Sequence, residues 1–317
     1  MPDHGTGPGS ARSPQVSRRE LDALRRQHAE VWELVHGSRY SELAPLLSAL
    51  ITGLETVSRS AETDELKSEA RELLTDTYQA TAAAMAKLGE GDAAWVAADR
   101  AALTAEALNA PLSVAASMFR MAHVFLSLGQ LAQAQQVSAS TASALRPAIN
   151  TKTPKPEELS LYGAFQLVLA IAAARDNDRG QAHEHLDEAR RIAGQLGEDR
   201  DDYGTEFGPT NVAIHAVAVA VELGDAGQAL ELAHDFDTSG LSPERQARYA
   251  IDLATAHAMR RQIGEALHDL QEAERLTPEQ TRTHRVARAV ARDLLQLSGP
   301  RPRPELRDLA ERFGVLP

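Results

Sequence analysis

Apolar residues recur every three or four positions along most of the chain, and Gly, Pro, Asn and Asp cut the pattern at intervals. This is the signature of amphipathic helices joined by short turns. Residues 207–236, FGPTNVAIHAVAVAVELGDAGQALELAHDF, show it most regularly. Gly208, Pro209, Thr210 and Asn211 start a helix: proline fits a first helical turn, and Thr or Asn can cap free backbone N–H groups. Residues 212–223 are almost wholly apolar, with Ala213, Ala216, Val217 and Ala220 at helical spacing. Leu223-Gly224-Asp225 ends that helix and opens a second one, whose apolar stripe is Ala229, Leu232 and Ala233. Such a hairpin cannot bury both apolar faces alone, so it requires similar neighbours.

Residues 1–17 are rich in Gly, Pro and Ser and predict a disordered tail. Residues 18–62 predict helices that cap an array. The first carries Leu21, Leu24, Val31, Trp32 and Val35 and is interrupted by Gly37-Ser38; the second, 41–58, has Pro45 in its first turn. The first helix either caps the array or docks on a second copy. Residues 63–298 predict repeated hairpins: a helix capped by Thr63 and running to Leu88, then 93–108, 112–128 with 130–145, and 159–175 with 179–196. The central hairpin follows, then 244–261 with 263–276, and one helix from Pro278 to about Leu297. Residues 147–156 predict a loop and 197–204 a polar connector. Residues 299–317 predict a linker and a short terminal helix over 305–313.

Composition sharpens the class to all-α. Hydrophobic residues make up 43% of the chain but aromatics only 4%, so Ala and Leu do the packing, as in closely approaching helices. A net charge of −12 argues against a broad nucleic-acid footprint. The absence of cysteine excludes disulfides and thiolate metal sites and agrees with a reducing, cytoplasmic setting. No apolar run predicts a membrane span or a signal peptide.

Five turns superpose. Ala94, Ala134, Ala182, Ala229 and Ala266 stand at one place in the second helices, and Ala101, Thr141, Ala189, Phe236 and Ala273 stand seven residues later. A small residue one turn inside a helix lets its partner cross closely. Leu88-Gly89, Leu128-Gly129 and Leu223-Gly224 precede turns, and Pro278 follows the last unit. The pattern resembles the tetratricopeptide (TPR) repeat. It departs in spacing, 40, 48, 47 and 37 residues between the five alanines against a regular period of about 34, and it lacks most of the large first-helix aromatics. The implied fold is an all-α, TPR-like solenoid of antiparallel hairpins with capping helices at both ends.

A further set of segments, WVAADRA (95–101), LAIAAAR (169–175), HLDEARRIAGQLG (185–197), residues 207–230, ARYAIDLATAHAMRR (247–261), EAERLTPEQ (272–280) and LAERFGVLP (309–317), looks like the C-terminal sensor half of Cro/repressor-type helix-turn-helix regulators from actinobacteria. The resemblance implies a cytoplasmic module in transcriptional regulation that dimerises or binds a small effector, peptide or protein partner. No reader helix of major-groove type is found before Glu62, so direct DNA binding by this chain is not expected. Either a DNA-binding domain was removed, or the chain is a stand-alone relative. A structural adaptor without a small ligand is the alternative.

In TPR folds the first helices line a concave face where partners lie. By repeat position this face takes Gln79 and Ala83, then Phe119, Arg120 and His123, then Leu167, Ile171 and Arg175. The central unit adds Asn211, Ile214, His215 and Ala218, and the last unit Arg248, Ile251, Asp252 and Thr255. The mixture of polar and apolar groups suits a peptide or small amphiphile. Asn211 either clamps a ligand backbone through its amide or caps its helix. Arg120, Arg175 and Arg248 either hold a carboxylate or pair with nearby acids.

Other chemistry is not expected. His183 and His185 are two apart, which puts their rings on different helix faces rather than at zinc-ligand spacing. GxSxG, P-loop and dinucleotide fingerprints are all missing, so neither an enzyme nor a cofactor is indicated. Arg282, Arg285, Arg288 and Arg292 read as one cationic stripe, either a patch for an acidic partner or nucleic acid, or a polar face that ends the array.

Overall fold

A computed structural model gives the fold of the chain and describes residues 18–233 and 236–316. The predicted disordered tail, 1–17, lies outside the described residues. The helical periodicity becomes sixteen α-helices among those described: α1 Arg18–His28, α2 Val31–His36, α3 Tyr40–Ser60, α4 Asp64–Leu88, α5 Gly91–Ala107, α6 Pro111–Ser127, α7 Leu131–Ile149 and α8 Pro156–Arg175. They continue as α9 Arg179–Leu196, α10 Pro209–Glu222, α11 Ala226–Leu232, α12 Pro243–Met259, α13 Ile263–Leu276, α14 Pro278–Thr283, α15 Arg285–Ser298 and α16 Pro304–Arg312. One 3₁₀ turn, Asp202–Gly204, lies in the polar connector. The described residues form no strand; a single isolated bridge joins Arg200 and Phe207.

Turn chemistry sets the boundaries. Thr63 caps α4 by accepting from the Leu66 amide, and Gly89 ends it in the left-handed region (φ 83°). Ser242 accepts from the Arg245 amide and Pro243 opens α12. Successive helices from α3 onward pack antiparallel in pairs. The first helices also touch one another in order, α4 to α6 to α8 to α10 to α12, so they form an inner layer with α5, α7, α9, α11 and α13 outside. Ala94, Ala134, Ala182, Ala229 and Ala266 are all fully buried where outer helices meet inner ones.

The inner layer closes on itself. α2 touches both α4 and α12, and α14 touches α4. At the seam Ser38 Oγ donates to Gln280 Oε1 (2.5 Å), Tyr40 donates to the same oxygen (3.1 Å), and Ser41 donates through its amide and hydroxyl to Glu279 (3.0 and 2.7 Å). Lys87 of α4 pairs with Glu244 of α12 at 3.2 Å. α1 and α3 pack against α4 at the first end, and α2 with the start of α3 also reaches α12 and α14 at the last, so the N-terminal helices cover one end and join it to the other.

The largest core cluster is central. Tyr162, Phe165 and Phe207 are fully buried there, so the few aromatics concentrate where the layers are deepest. Gly163 faces Phe207 so closely that an added Cβ would meet the ring at 2.0 Å. α8 is long and apolar enough to cross a membrane, which the sequence pattern did not predict, but 83% of that window is buried inside the molecule, as a core helix requires.

Four other expectations change. The helix predicted from Arg18 to Val35 breaks at Ala29-Glu30 into α1 and α2. α7 runs through Pro147 to Ile149, because a proline in the last turn removes an N–H without ending the helix. The helix predicted from Pro278 is two, since His284 takes an extended conformation (φ −65°, ψ 123°). The stripe from Arg282 to Arg292 is thereby divided: Arg282 on α14 pairs with Glu274 at 2.7 Å, and Arg288 on α15 donates to the Gly314 carbonyl at 3.2 Å.

A candidate ligand chamber between the inner helices

The closed inner layer surrounds a cavity of about 380 Å³. α6, α8 and α10 supply an apolar side: Phe119, Leu126, Leu167, Val168, Ile171, Ile214 and Ala218. α12 and the ends that meet it supply a polar side, with Glu244, Arg245, Arg248, Asp252, Gln280 and His284. α2 adds Trp32, Val35 and His36, and the connector adds Gly204, Thr205 and Glu206.

Of the residues expected on the concave face, Phe119, Arg120, His123, Leu167, Ile171, Arg175, Asn211, Ile214, His215, Arg248 and Asp252 line this one cavity. Ile251 does not: it is packed in the C-terminal core. Thr255 lies on a separate surface depression with Met259 and Leu297, and its hydroxyl donates to the Ile251 carbonyl (2.8 Å). Both sit where α12 turns its face toward α13 and α15. Gln79 is spent between α4 and α6, where it donates to the Ser113 carbonyl and the Ser117 hydroxyl (both 3.0 Å).

Each arginine has a distinct setting. Arg120 is buried and donates through Nη2 to the carbonyls of Tyr203 (2.6 Å) and Gly204 (2.9 Å), while its guanidinium lies between the rings of Trp32 (4.7 Å) and Phe119 (5.2 Å). It is thus not paired with an acid at the surface, and burial, then the Arg245 charge, lowers its pKa to about 10. Arg175 does pair with a nearby acid, Glu222 of α10 (2.8 Å), and donates to the Leu126 carbonyl (3.2 Å). Arg248 lies 3.5 Å from Asp252 and donates to His284 Nε2 (3.0 Å). Arg245 lies 3.3 Å from Glu206 and donates to the Thr205 carbonyl (3.3 Å).

Asn211 does not cap its helix. The N-cap of α10 is Gly208, and the Asp199 carboxylate accepts from the Thr210 amide (2.9 Å). The Asn211 side chain is 2% exposed and its Oδ1 has no partner. His215 donates through Nδ1 to the Asn211 carbonyl (2.8 Å), which leaves Nε2 of the neutral ring as an acceptor.

The chamber suppresses the charge of His123, His215 and His284 and holds that of Glu244. Burial, reinforced by Arg245, brings His215 down to about 3 and puts His123 well below its ordinary value. Burial and then Arg248 bring His284 to about 3. Burial raises Asp252 to about 6 against the pull of Arg248. Burial would also raise Glu244, but Lys87, Arg245 and Gln280 outweigh it and hold the carboxyl well below the usual range.

Sequence reasoning missed the contributions of α2, the connector and α14, because they reach the chamber through the seam and not by repeat position. Gly204 carried a usable signal. It has φ 65°, and an added Cβ would meet the Trp32 ring at 2.7 Å, so Trp32 lies directly over this backbone. Glu244 and Arg245 lie one turn before Arg248 and share its face. Among the described residues no group of three or more His, Asp or Glu is placed to hold a metal ion. His183 and His185 are engaged by the Arg179 carbonyl (2.9 Å) and by Gln166 (2.8 Å).

No protein-family model and no curated protein matches the chain.

Proposed function

We propose that residues 18–316 form a TPR-like sensing module that takes a small effector in the chamber between its inner helices and acts in transcriptional regulation. The observation that carries this reading is the chamber itself. Its volume, about 380 Å³, falls within the range of roughly 300–1,000 Å³ usual for small-molecule sites, and it combines an apolar side with convergent polar groups. The seam at Gln280 disfavours a folded protein or helix as the occupant of the concave face, because it would first have to be opened. The hairpin repeat and the ordered segments that resemble actinobacterial regulator sensor domains support the regulatory part. The reading assigns the array neither catalysis nor direct DNA reading.

A ligand that binds only the folded state stabilises it, by about 2.7 kcal/mol at one hundred times its Kd. A thermal-shift screen of small metabolites should therefore raise the melting temperature of the wild-type chain. Ala218→Leu, which fills the chamber, should abolish that rise while keeping the far-UV spectrum. No response to any small molecule sinks the sensing reading. Identical transcript profiles from strains carrying wild type and Ala218→Leu sink the regulatory one.

One observation favours a second reading, docking of a partner protein on the outside. Trp95, Val96 and Leu103 on α5 are 44%, 46% and 58% exposed. Leu103→Glu should then abolish partner capture or self-association and leave small-molecule binding unchanged.

A further inference from the structure

We propose that the chamber takes a small organic anion, its charged head against the Arg245 side and its apolar body along Phe119, Leu167, Val168, Ile171 and Ile214. The inference rests on the sensing reading and names the chemistry of its ligand.

Three independent observations converge on it. The first is the sign of the lining. Six Lys and Arg side chains line the chamber against three carboxylates, in a chain whose net charge is −12. The chamber is therefore positive inside an acidic protein, and low-dielectric walls concentrate that field.

The second is incomplete pairing. Lys87, Arg175, Arg245 and Arg248 each lie near a carboxylate, whereas neither Arg120 nor Arg285 has one within ion-pair distance among the described residues. Arg120 is 6% exposed, and its Nε is buried without a hydrogen-bond partner, as is that of Arg245. A buried cation held by two carbonyls and two ring faces, with no carboxylate at ion-pair distance, keeps an uncompensated charge, and an anion in the chamber offsets that cost.

The third is the polar group that the fold leaves unused. The Asn211 side chain is buried, its Oδ1 has no partner, and it lines the chamber. Its amide is free for a polar atom next to the ligand head. His123, also without a hydrogen-bond partner among the described residues, stands edge-on to Phe119 at 4.5 Å, where the apolar and cationic sides meet. A fully apolar ligand would bury these groups without partners. A cationic ligand would meet the excess of arginine and lysine.

The test uses the full chain with Trp95→Phe, which leaves Trp32 as the only tryptophan, seated on the chamber wall. Trp32 fluorescence is followed during titration with decanoate, octyl phosphate, decanol and decylamine, each below its micelle concentration. Decanoate or octyl phosphate should bind at least ten-fold more tightly than decanol, and decylamine should give no saturable signal. The better of the two anions identifies the head as carboxylate or phosphate. Arg245→Gln should weaken the anion at least ten-fold and leave decanol unchanged. Arg285→Gln, exposed at the chamber mouth, should weaken it two- to five-fold and serves if Arg245→Gln does not fold. Equal binding of decanol and the anions, or tighter binding of decylamine, overturns the inference and leaves the sensing reading standing. Silence from all four probes, together with a silent metabolite screen, overturns both.

Discussion

Arg120 joins three elements through one side chain. Its Nη2 holds two successive carbonyls of the connector, and Trp32 of α2 and Phe119 of its own helix sandwich its guanidinium. The connector needs such a fastening, because Tyr203 and Glu206 both adopt left-handed backbone (φ 54° and 51°), which non-glycine residues enter at a cost. Trp32 is fixed from the other side, donating through Nε1 to Asp76 (2.9 Å). Arg120→Ala removes both hydrogen bonds and leaves two carbonyls to find new partners, at about 1–3 kcal/mol for each buried polar group left unsatisfied. Relief of the buried charge returns part of that. The expected net loss is about 2–4 kcal/mol in urea unfolding, with Arg120→Lys no better because its ammonium cannot span both carbonyls while stacked. A loss below about 0.5 kcal/mol would show that the connector is held by other contacts.

At the scale of elements, the contact of α8 with Phe207, two residues before α10, inverts a usual rule. Alanine in place of glycine within a helix ordinarily stabilises it by roughly 0.5–1 kcal/mol. Gly163 is different, because its missing Cβ leaves the space that the buried Phe207 ring occupies. Gly163→Ala should destabilise by about 1–3 kcal/mol, the usual range for overpacking. Phe207→Leu in the same chain should recover part of it, and stabilisation by Gly163→Ala alone would contradict the contact. Local signals of this kind made much of the fold legible. Thr63, Gly89, Ser242 and Pro243 mark helix ends by their own backbone chemistry, and the spaced alanines mark where helices cross. The two unpredicted breaks, at Ala29-Glu30 and at His284, carry neither glycine nor proline. His284 bends the chain where its ring nitrogen Nε2 accepts from Arg248, a contact that joins residues distant in sequence. The chamber divides the same way. Its α6, α8 and α10 side follows from helical period and repeat position, whereas Trp32, Thr205 and Gln280 enter only through tertiary closure, for which sequence spacing provides no signal. The neighbours of Ile251 and Thr255 on α12 face the chamber, but the helix rotates both away toward the C-terminal core.

For the whole molecule, the closed chamber couples stability to pH and joins its first helices to its last. The rings of His123, His215 and His284 lie far below their ordinary 6.5. The unfolded chain binds these protons as pH falls through about 6.5 and the folded chain does not, so the stability they contribute is full above that pH and lost below it. Asp252, raised to about 6, runs the other way: its contribution is full near pH 4 and lost as pH rises through 6. Between pH 7 and pH 5 each histidine costs at most about 2 kcal/mol and the opposing Asp252 returns about 1 kcal/mol, so the net loss is at most about 5 kcal/mol. Urea midpoints at the two pH values measure it, and equal midpoints would place the rings in ordinary solvent. Closure itself depends on Gln280. Its Oε1 accepts from Ser38 and Tyr40, and its Nε2 donates to Glu244 (3.2 Å), so one amide links the residues before and within the start of α3 to α14 and α12. In an open array each hairpin is held by its neighbours alone and the ends fray first. Here the ends hold each other. Gln280→Ala leaves the buried hydroxyls of Ser38 and Tyr40 without that acceptor and should cost about 2–4 kcal/mol. The loss should also be local: amide exchange should accelerate in residues 31–41 and 278–283 and stay unchanged in α8 and α9, which lie opposite the seam. Uniform acceleration throughout the chain would mean that the ring opens only by unfolding as a whole. Unchanged exchange at both ends would mean that the Lys87–Glu244 pair and the packing of α2 on α4 and α12 close it without Gln280.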